Sequence, residues 1–191
     1  MEEKELKYIA TKTLELRLKA LLLLDEIMTP PEHDYLRIIN SGNDGQVLWY
    51  IIDNGSGDSL MILFINQDVF IKGFDHESEL NQFAAKEWDN EFFTKIFAGV
   101  PDNLMKLLTK EERDETTFCM WYLSDVKEWH ENKISDNDGG KSWLLRYIPQ
   151  SADQFLEWAE DYYGKSFNST VMEKLFNSAE LSANDKAILK Q

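Results

Sequence analysis

Val47-Leu-Trp-Tyr-Ile-Ile-Asp53 and Leu60-Met-Ile-Leu-Phe-Ile-Asn66, joined by Asn54-Gly-Ser-Gly-Asp58, decide the fold of this chain. Both runs are rich in β-branched and aromatic residues and are bounded by turn formers, so they read as strands. The second has no polar alternation, which marks a strand buried on both faces and central in its sheet. Gln67-Asp68 then turns into a further strand, Val69–Phe74. Loops this short join antiparallel neighbours, so the core of the fold is a meander of hairpins.

Outward from this core, Tyr35–Asn40 reads as a preceding strand, with Ser41-Gly-Asn-Asp-Gly45 as its turn. Thr116–Leu123 and Ser142–Ile148 read as fifth and sixth strands, with Asp136-Asn-Asp-Gly-Gly140 ending the loop between them. Apolar spacings predict helices over Ser78–Ala85 and Trp88–Phe97, and Asp102 can cap another through Lys110. Ser151-Ala-Asp-Gln154 is a capping box opening a helix with Phe155, Trp158, Ala159 and Tyr162 on one face and Gly164 as its C-cap. Val171–Ala179 and Ala183–Leu189 read as closing helices. At the other end, residues 3–28 carry Leu6, Ile9, Thr13, Leu16, Ala20, Leu23 and Ile27 at heptad spacing, widened by Leu14, Leu18, Leu21, Leu22 and Leu24. Thr29-Pro30-Pro31 ends that helix. The expectation is an α+β fold: one mainly antiparallel sheet of about six strands covered by helices, with a long N-terminal helix. Residues 1–28 are expected to pack on the body or on a partner subunit, and 29–191 to form a single α+β domain.

The 191 residues carry 35 acids against 20 bases, a formal charge of −15. That balance disfavours a nucleic-acid backbone or an anionic membrane as partner. An apolar fraction of 43% excludes a disordered acidic chain. Cys119 is the single cysteine, so no intrachain disulfide forms. The first residues are acidic rather than basic-then-apolar, and the longest apolar run is Ala20–Leu24. A soluble cytoplasmic protein is expected. The charge is uneven: residues 29–164 hold 26 acids against 11 bases, and 75–91 alone hold six against one.

No nucleophile elbow, Walker loop, dinucleotide fingerprint or H-x-x-x-H spacing is present. Neither Asp136–Gly140 nor Asn40–Gly45 opens a calcium loop, because the twelfth position falls on Tyr147 or Ile51 instead of a glutamate. One constellation stands out. Asp53 and Asp58 flank a Gly-Ser-Gly turn, and Asp75, His76, Glu77 and Glu79 follow Gly73. If the strands between them form a hairpin, Leu60 lies roughly opposite Phe74, and Asp58 and Asp75 share one end of the sheet. Such a group could hold a divalent cation, serve acid/base chemistry or receive a partner's Lys or Arg. It could equally consist of turn residues bonding their own backbone. Trp129, beside Glu128, His130 and Glu131 in a polar loop, is the tryptophan expected to be exposed, a natural anchor for a basic partner.

Asn54-Gly-Ser-Gly-Asp58 and Gly73-Phe-Asp-His-Glu-Ser78 resemble a family of uncharacterised bacterial proteins with an N-G-S-G-D…K-G-F-D-H-E-S pattern. Asp114-Glu-Thr-Thr-Phe-Cys119 and Phe155–Tyr163 are similar to it as well, so the likeness spans roughly residues 30–163. More distantly, the strand, turn, strand and D-H-E arrangement and Pro31-Glu-His-Asp-Tyr35 resemble the SUKH superfamily, with one departure: a strand stands where that superfamily has a helix after the proline segment. The resemblance implies an acidic α+β module acting as an immunity protein against a bacterial toxin or as a regulatory scaffold, and it carries over no catalytic residue.

The sequence thus points to a non-enzymatic acidic module that binds a basic protein, as an immunity-type protein or an intracellular adaptor. Its binding residues would be Asp53, Asp58, Asp75, His76, Glu77, Glu79 and Trp129. No cofactor or resident metal is called for, and the chain is expected as a monomer or homodimer. The alternative is a metal-dependent or acid/base hydrolase using the Asp75-His76-Glu77 loop. That alternative requires His76 to converge with Asp58 and Glu77 in one concavity.

Overall fold

The computed structural model describes residues 10–191, so Leu6 and Ile9 of the heptad reading lie outside it. The chain forms two compact units, one of residues 41–145 and one of 10–40 with 146–191.

The sheet is a six-stranded meander in the order of the sequence: β1 (Ile39–Asn43), β2 (Val47–Asp53), β3 (Ser59–Ile65), β4 (Asp68–Phe74), β5 (Phe118–Leu123) and β6 (Glu128–Glu131). The pairs from β2 to β6 are antiparallel. Ser59 pairs with Asp53 on one side and Phe74 on the other, so Leu60 faces Gly73, one residue from the expected register. In β3 and β4, Leu60, Ile62, Val69 and Ile71 are buried, and so are Met61, Leu63 and Phe70 on the other face. Burial on both faces explains why these strands show no polar alternation. On one face Met61, Leu63, Phe70, Cys119 and Trp121 join Phe92 and Ile96 of α2 (Asn90–Ile96) and Leu104 of α3 (Asp102–Met105) in one apolar cluster.

Three elements depart from the sequence reading. Pro31–Leu36 is a 3-10 helix, and the strand begins only at Ile39. The prolines favour a helical start, and Asp34 then accepts from the Arg37 amide at 3.2 Å, closing a turn before the strand. Residues 78–85 form successive turns instead of a helix, because Ser78 Oγ accepts from the Leu80 amide and Asn81 Oδ1 from the Phe83 amide. The sixth strand is Glu128–Glu131, whereas Ser142–Ile148 contributes to α5 (Lys141–Leu144) and a 3-10 turn, Leu145–Tyr147. Asp138 accepts from the Ser142 amide at 2.8 Å and so starts the helix there. Asp102–Lys110 also divides, into α3 and the start of α4 (Lys110–Asp114), which Thr109 and Glu112 cap reciprocally.

The second unit is helical: α1 (Thr11–Met28), α6 (Ala152–Tyr163), α7 (Ser169–Ser178) and α8 (Ala183–Leu189). α1 packs on α7 and touches α8, and α6 packs on α7. The buried apolar residues of α1 are Leu14, Leu18, Ala20, Leu21, Leu24 and Ile27; of the heptad set Ala20 and Ile27 are therefore buried, while Thr13, Leu16 and Leu23 are half-buried. Ser151 caps α6 by accepting from the Gln154 amide, and Gly164 ends it in the left-handed region. The Gln154 side chain, however, accepts from Gln150, so the box is not reciprocal. Asp25, 1% exposed, accepts from Tyr163 OH at 3.0 Å, Arg37 Nε at 3.2 Å and Thr29 Oγ1 at 3.3 Å. Burial and the neighbouring Asp25 carboxylate push the Tyr163 phenol well above its usual pKa. Among the described residues, no helix is long and apolar enough to cross a membrane.

Candidate functional site

The β2–β3 turn and the segment after β4 meet at one end of the sheet, as the antiparallel register demands. Local geometry aims their side chains. Asn54 Oδ1 accepts from the Ser56 amide at 2.8 Å and the Asp58 amide at 3.3 Å, closing the turn on itself. Asp58 is thereby delivered to the interior, 5% exposed. Its Oδ2 accepts from Asn54 Nδ2 at 2.9 Å, and its Oδ1 from the His76 amide at 2.9 Å. The same Oδ1 lies 2.7 Å from His76 Nδ1.

This pair sets the electrostatics. Burial pushes the Asp58 carboxyl up, but the hydrogen bonds from Asn54 and His76 outweigh it and hold the group below the usual carboxylate range. The hydrogen bond to Asp58, opposed by some desolvation, raises the His76 ring above its ordinary value, with Glu77 and Asp75 adding to the effect. His76 Nε2 is not engaged by Asp58 and stands 3.9 Å from Glu77 Oε1.

Asp75 is fixed from the other side. Its amide donates to Thr117 Oγ1 at 3.0 Å, its Oδ1 accepts from the Glu77 amide at 3.0 Å, and its Oδ2 accepts from Trp143 Nε1 at 3.2 Å. One carboxylate oxygen each of Asp58 and Asp75 and a ring nitrogen of His76 lie within 4.8 Å of one another.

Asp58, Asp75, His76, Glu77 and Glu79 line a cavity of about 430 Å³ together with Ser78, Asn137, Asp138, Gly140 and Trp143. Five of its described lining residues are carboxylates, and none is Lys or Arg. The second wall comes from the loop before α5, which the sequence reading treated as a turn. Gly139 and Gly140 both have positive φ, and Gly140 lies so close to Asp75 that an added Cβ would fall 2.5 Å from the Asp75 Cβ. The Asp138 carboxyl is pushed up by burial and, more strongly, held down by hydrogen bonds from Ser142 and Gly140. The Gly-Gly pair after three Asx residues was the legible signal, since it marks backbone that must approach something closely.

Two expected site residues stand apart. Asp53 is exposed and accepts from the Gly55 amide at 2.8 Å, an Asx turn outside the cavity. Trp129 is half-buried on the edge strand β6, its ring 5.5 Å from that of Tyr122, and does not line the cavity. Its polar neighbours Glu128 and His130 mark an edge strand, which carries charge to block further pairing, rather than a loop. No family model, curated protein or solved structure matches this chain significantly.

Proposed function

We propose that this protein is a non-enzymatic binding module whose acidic cavity receives a cationic side chain of a basic protein partner. A single observation carries the reading: five carboxylates face one concavity that no Lys or Arg of the described residues lines. Carboxylates so arranged accept the N–H donors of a Lys or Arg in charge-assisted hydrogen bonds. At about 430 Å³ the cavity has room for one or a few side chains. Cytoplasmic location and an immunity-type or adaptor role, the kind that the SUKH resemblance implies, belong to the same proposal.

The test is calorimetric titration with a lysine-bearing basic peptide and with the products of adjacent genes, at two salt concentrations. Binding should weaken with salt, and the triple variant Asp75→Asn, Glu77→Gln, Glu79→Gln should lose about tenfold in affinity, each partly exposed charge contributing up to roughly 1 kcal/mol. A partner indifferent both to salt and to these variants would defeat the proposal.

A second reading rests on the Asp58–His76 pair. A buried carboxylate bonded to Nδ1 orients an imidazole so that Nε2 can move a proton or bind a metal ion. The neighbouring hydroxyl, Ser78 Oγ, is buried and bonded to Asn137 at 3.3 Å, so in this reading the attacking group would be water. Titration with zinc and manganese, followed on the His76 ring resonances, separates the two readings: saturable shifts at micromolar metal favour the second, and their absence favours the first.

A further inference from the structure

Beyond the acidic cavity, the same segment presents a patch that the cavity does not use. Phe83 is 58% exposed and Trp88 is 40% exposed. Neither ring is loose. They meet edge to face at 5.4 Å, Phe83 meets Phe74 at 6.1 Å, and Trp88 stacks on Phe93 at 5.2 Å. Phe93 in turn packs edge-on against buried Phe92, so the exposed pair is the outer end of an aromatic row rooted in the apolar cluster under the sheet.

The backbone that carries the pair is tied to the cavity. Asn81, 6% exposed, donates Nδ2 to the His76 carbonyl at 2.7 Å and accepts from the Phe83 amide at 2.9 Å. Gln82 Oε1 accepts from the Asp89 amide at 3.0 Å, drawing the chain that follows Trp88 back onto the segment. Large aromatic rings held rigid at a surface lose little further entropy on docking, which is why interface anchors are so often Trp and its relatives.

The surroundings choose the occupant. Residues 75–91 hold six acids against the single base Lys86. Glu77, Glu79 and Glu87 are all exposed. We infer that Phe83 and Trp88 form the aromatic half of a docking surface for an arginine-bearing segment of a basic protein, continuous with the acidic cavity. The inference rests on the cation-binding reading of that cavity and adds the chemistry of the partner. A guanidinium is planar and weakly hydrated, so it can stack on a ring while its N–H fork pairs with a carboxylate. A lysine ammonium, compact and strongly hydrated, does only the second well.

Two synthetic peptides of equal length and charge test this, one with Arg and one with Lys at every basic position, spaced by Gly and Ser. Each is titrated into the full chain and followed by calorimetry and by the tryptophan indole N–H resonances, with Trp88 assigned through Trp88→Phe. The Arg peptide should bind roughly two- to fivefold tighter and shift the Trp88 resonance. The double variant Phe83→Ser, Trp88→Ser should erase that preference while leaving the Lys peptide's affinity in place. Phe83→Ser alone, at the more exposed position, gives the same readout should the double variant fail to fold.

Equal affinities and an unmoved Trp88 resonance, with Glu77→Gln and Glu79→Gln weakening both peptides, would overturn the docking surface and leave the cavity reading standing. Failure of both peptides to bind would remove the cavity reading and this inference with it. A homodimer in sedimentation that Phe83→Ser dissociates, with peptide binding untouched, would assign the patch to a second copy of the chain and overturn the inference too.

Discussion

Gly140 sits at φ +86°, and a Cβ built there would fall 2.5 Å from the Asp75 Cβ and 2.6 Å from its Oδ2. Gly140→Ala therefore strains two things at once. An L-residue in the left-handed region costs roughly 1–2 kcal/mol. Overpacking against a held neighbour adds roughly 1–3 kcal/mol. Asp75 cannot simply swing aside, because its carboxylate accepts from the Glu77 amide at 3.0 Å and from Trp143 Nε1 at 3.2 Å. The expected loss is thus about 2–5 kcal/mol. Gly164→Ala is the matched control: its φ is +63°, and no atom lies within 4 Å of the added Cβ. It should lose only the backbone part, roughly 1–2 kcal/mol. Urea unfolding of both variants, compared at equal m-value, measures the difference. Gly140→Ala should also move the Trp143 indole resonance. Equal losses in the two variants would refute the placement of the 136–140 loop against Asp75, and with it the second wall of the cavity.

Three further outcomes follow from the charged groups. The hydrogen bond to Asp58 raises the His76 pKa, so the His76 share of the pair's stability is complete below about pH 6.5 and is lost as pH climbs through the raised folded value, while the Asp58 share is lost only in acid, as pH falls through its lowered folded value. Asp58→Asn should lower the midpoint of the His76 ring titration by NMR, and an unchanged midpoint would count against the pair. Lys72, 3% exposed, donates to the Glu115 carbonyl, and burial pushes its ammonium down to about 8. The unfolded chain then binds more protons between about pH 8 and about pH 10.4, so stability should rise with pH across that window by roughly 3 kcal/mol, and Lys72→Met should abolish the rise in urea unfolding. Asp25→Leu should cost roughly 3–5 kcal/mol by removing the buried acceptor of Arg37 Nε, Tyr163 OH and Thr29 Oγ1 together; because Glu26 at 3.5 Å still faces the guanidinium and Tyr163 stays without its acceptor, adding Arg37→Leu should recover only part of the loss, which the two unfolding midpoints compare directly.

The central hairpins were legible because β3 and β4 are buried on both faces and β2 on one, and because Asn54-Gly55 and Asn66-Gln67 punctuate the strands, so composition and turns agree. The edges were not. Glu128–Glu131 pairs on one side only and exposes its charges, and such a strand looks like loop in any reading that seeks apolar runs. Ser142–Ile148 has the opposite character, apolar and aromatic, yet helical turns form there because Asp138 engages the Ser142 amide. In α1, a wide leucine stripe let the heptad set and its neighbours compete. Residues of both sets end buried, Leu14, Leu18, Leu21 and Leu24 beside Ala20 and Ile27, because α1 packs on α7 and also touches α8. Asp58, Asp75, His76, Glu77 and Glu79 were found together because a hairpin register brings its two ends to the same place, and an error of one residue in that register did not move them apart. Asp138, Gly140 and Trp143 come from a loop more than fifty residues further on, and no local pattern ties them to Asp75.

The charge also divides between the structural units, less sharply than along the sequence. Residues 41–145 hold 20 acids against 9 bases, while 10–40 with 146–191 hold 12 against 9. Within 41–145, Lys95, Lys110, Lys133 and Lys141 pair with Glu91, Asp114, Asp136 and Glu131, none of which lines the cavity. Lys72 is committed to a backbone carbonyl. Five of the nine bases of this unit are thus committed away from the cavity, and among the described ion pairs only His76 reaches a cavity carboxylate. Five carboxylates around one concavity repel each other, and that repulsion weakens the compact state unless a cation relieves it. A chain that needed only solubility could spread the same charge over its exposed surface at less cost. Concentrating it where Asp58, Asp138 and Asp75 are each pinned by two or more hydrogen bonds keeps the repulsion from relaxing; His76 offsets part of it at Asp58 and Lys141 part at Asp138, and the pinned charge left over is what a cationic side chain from outside would bind.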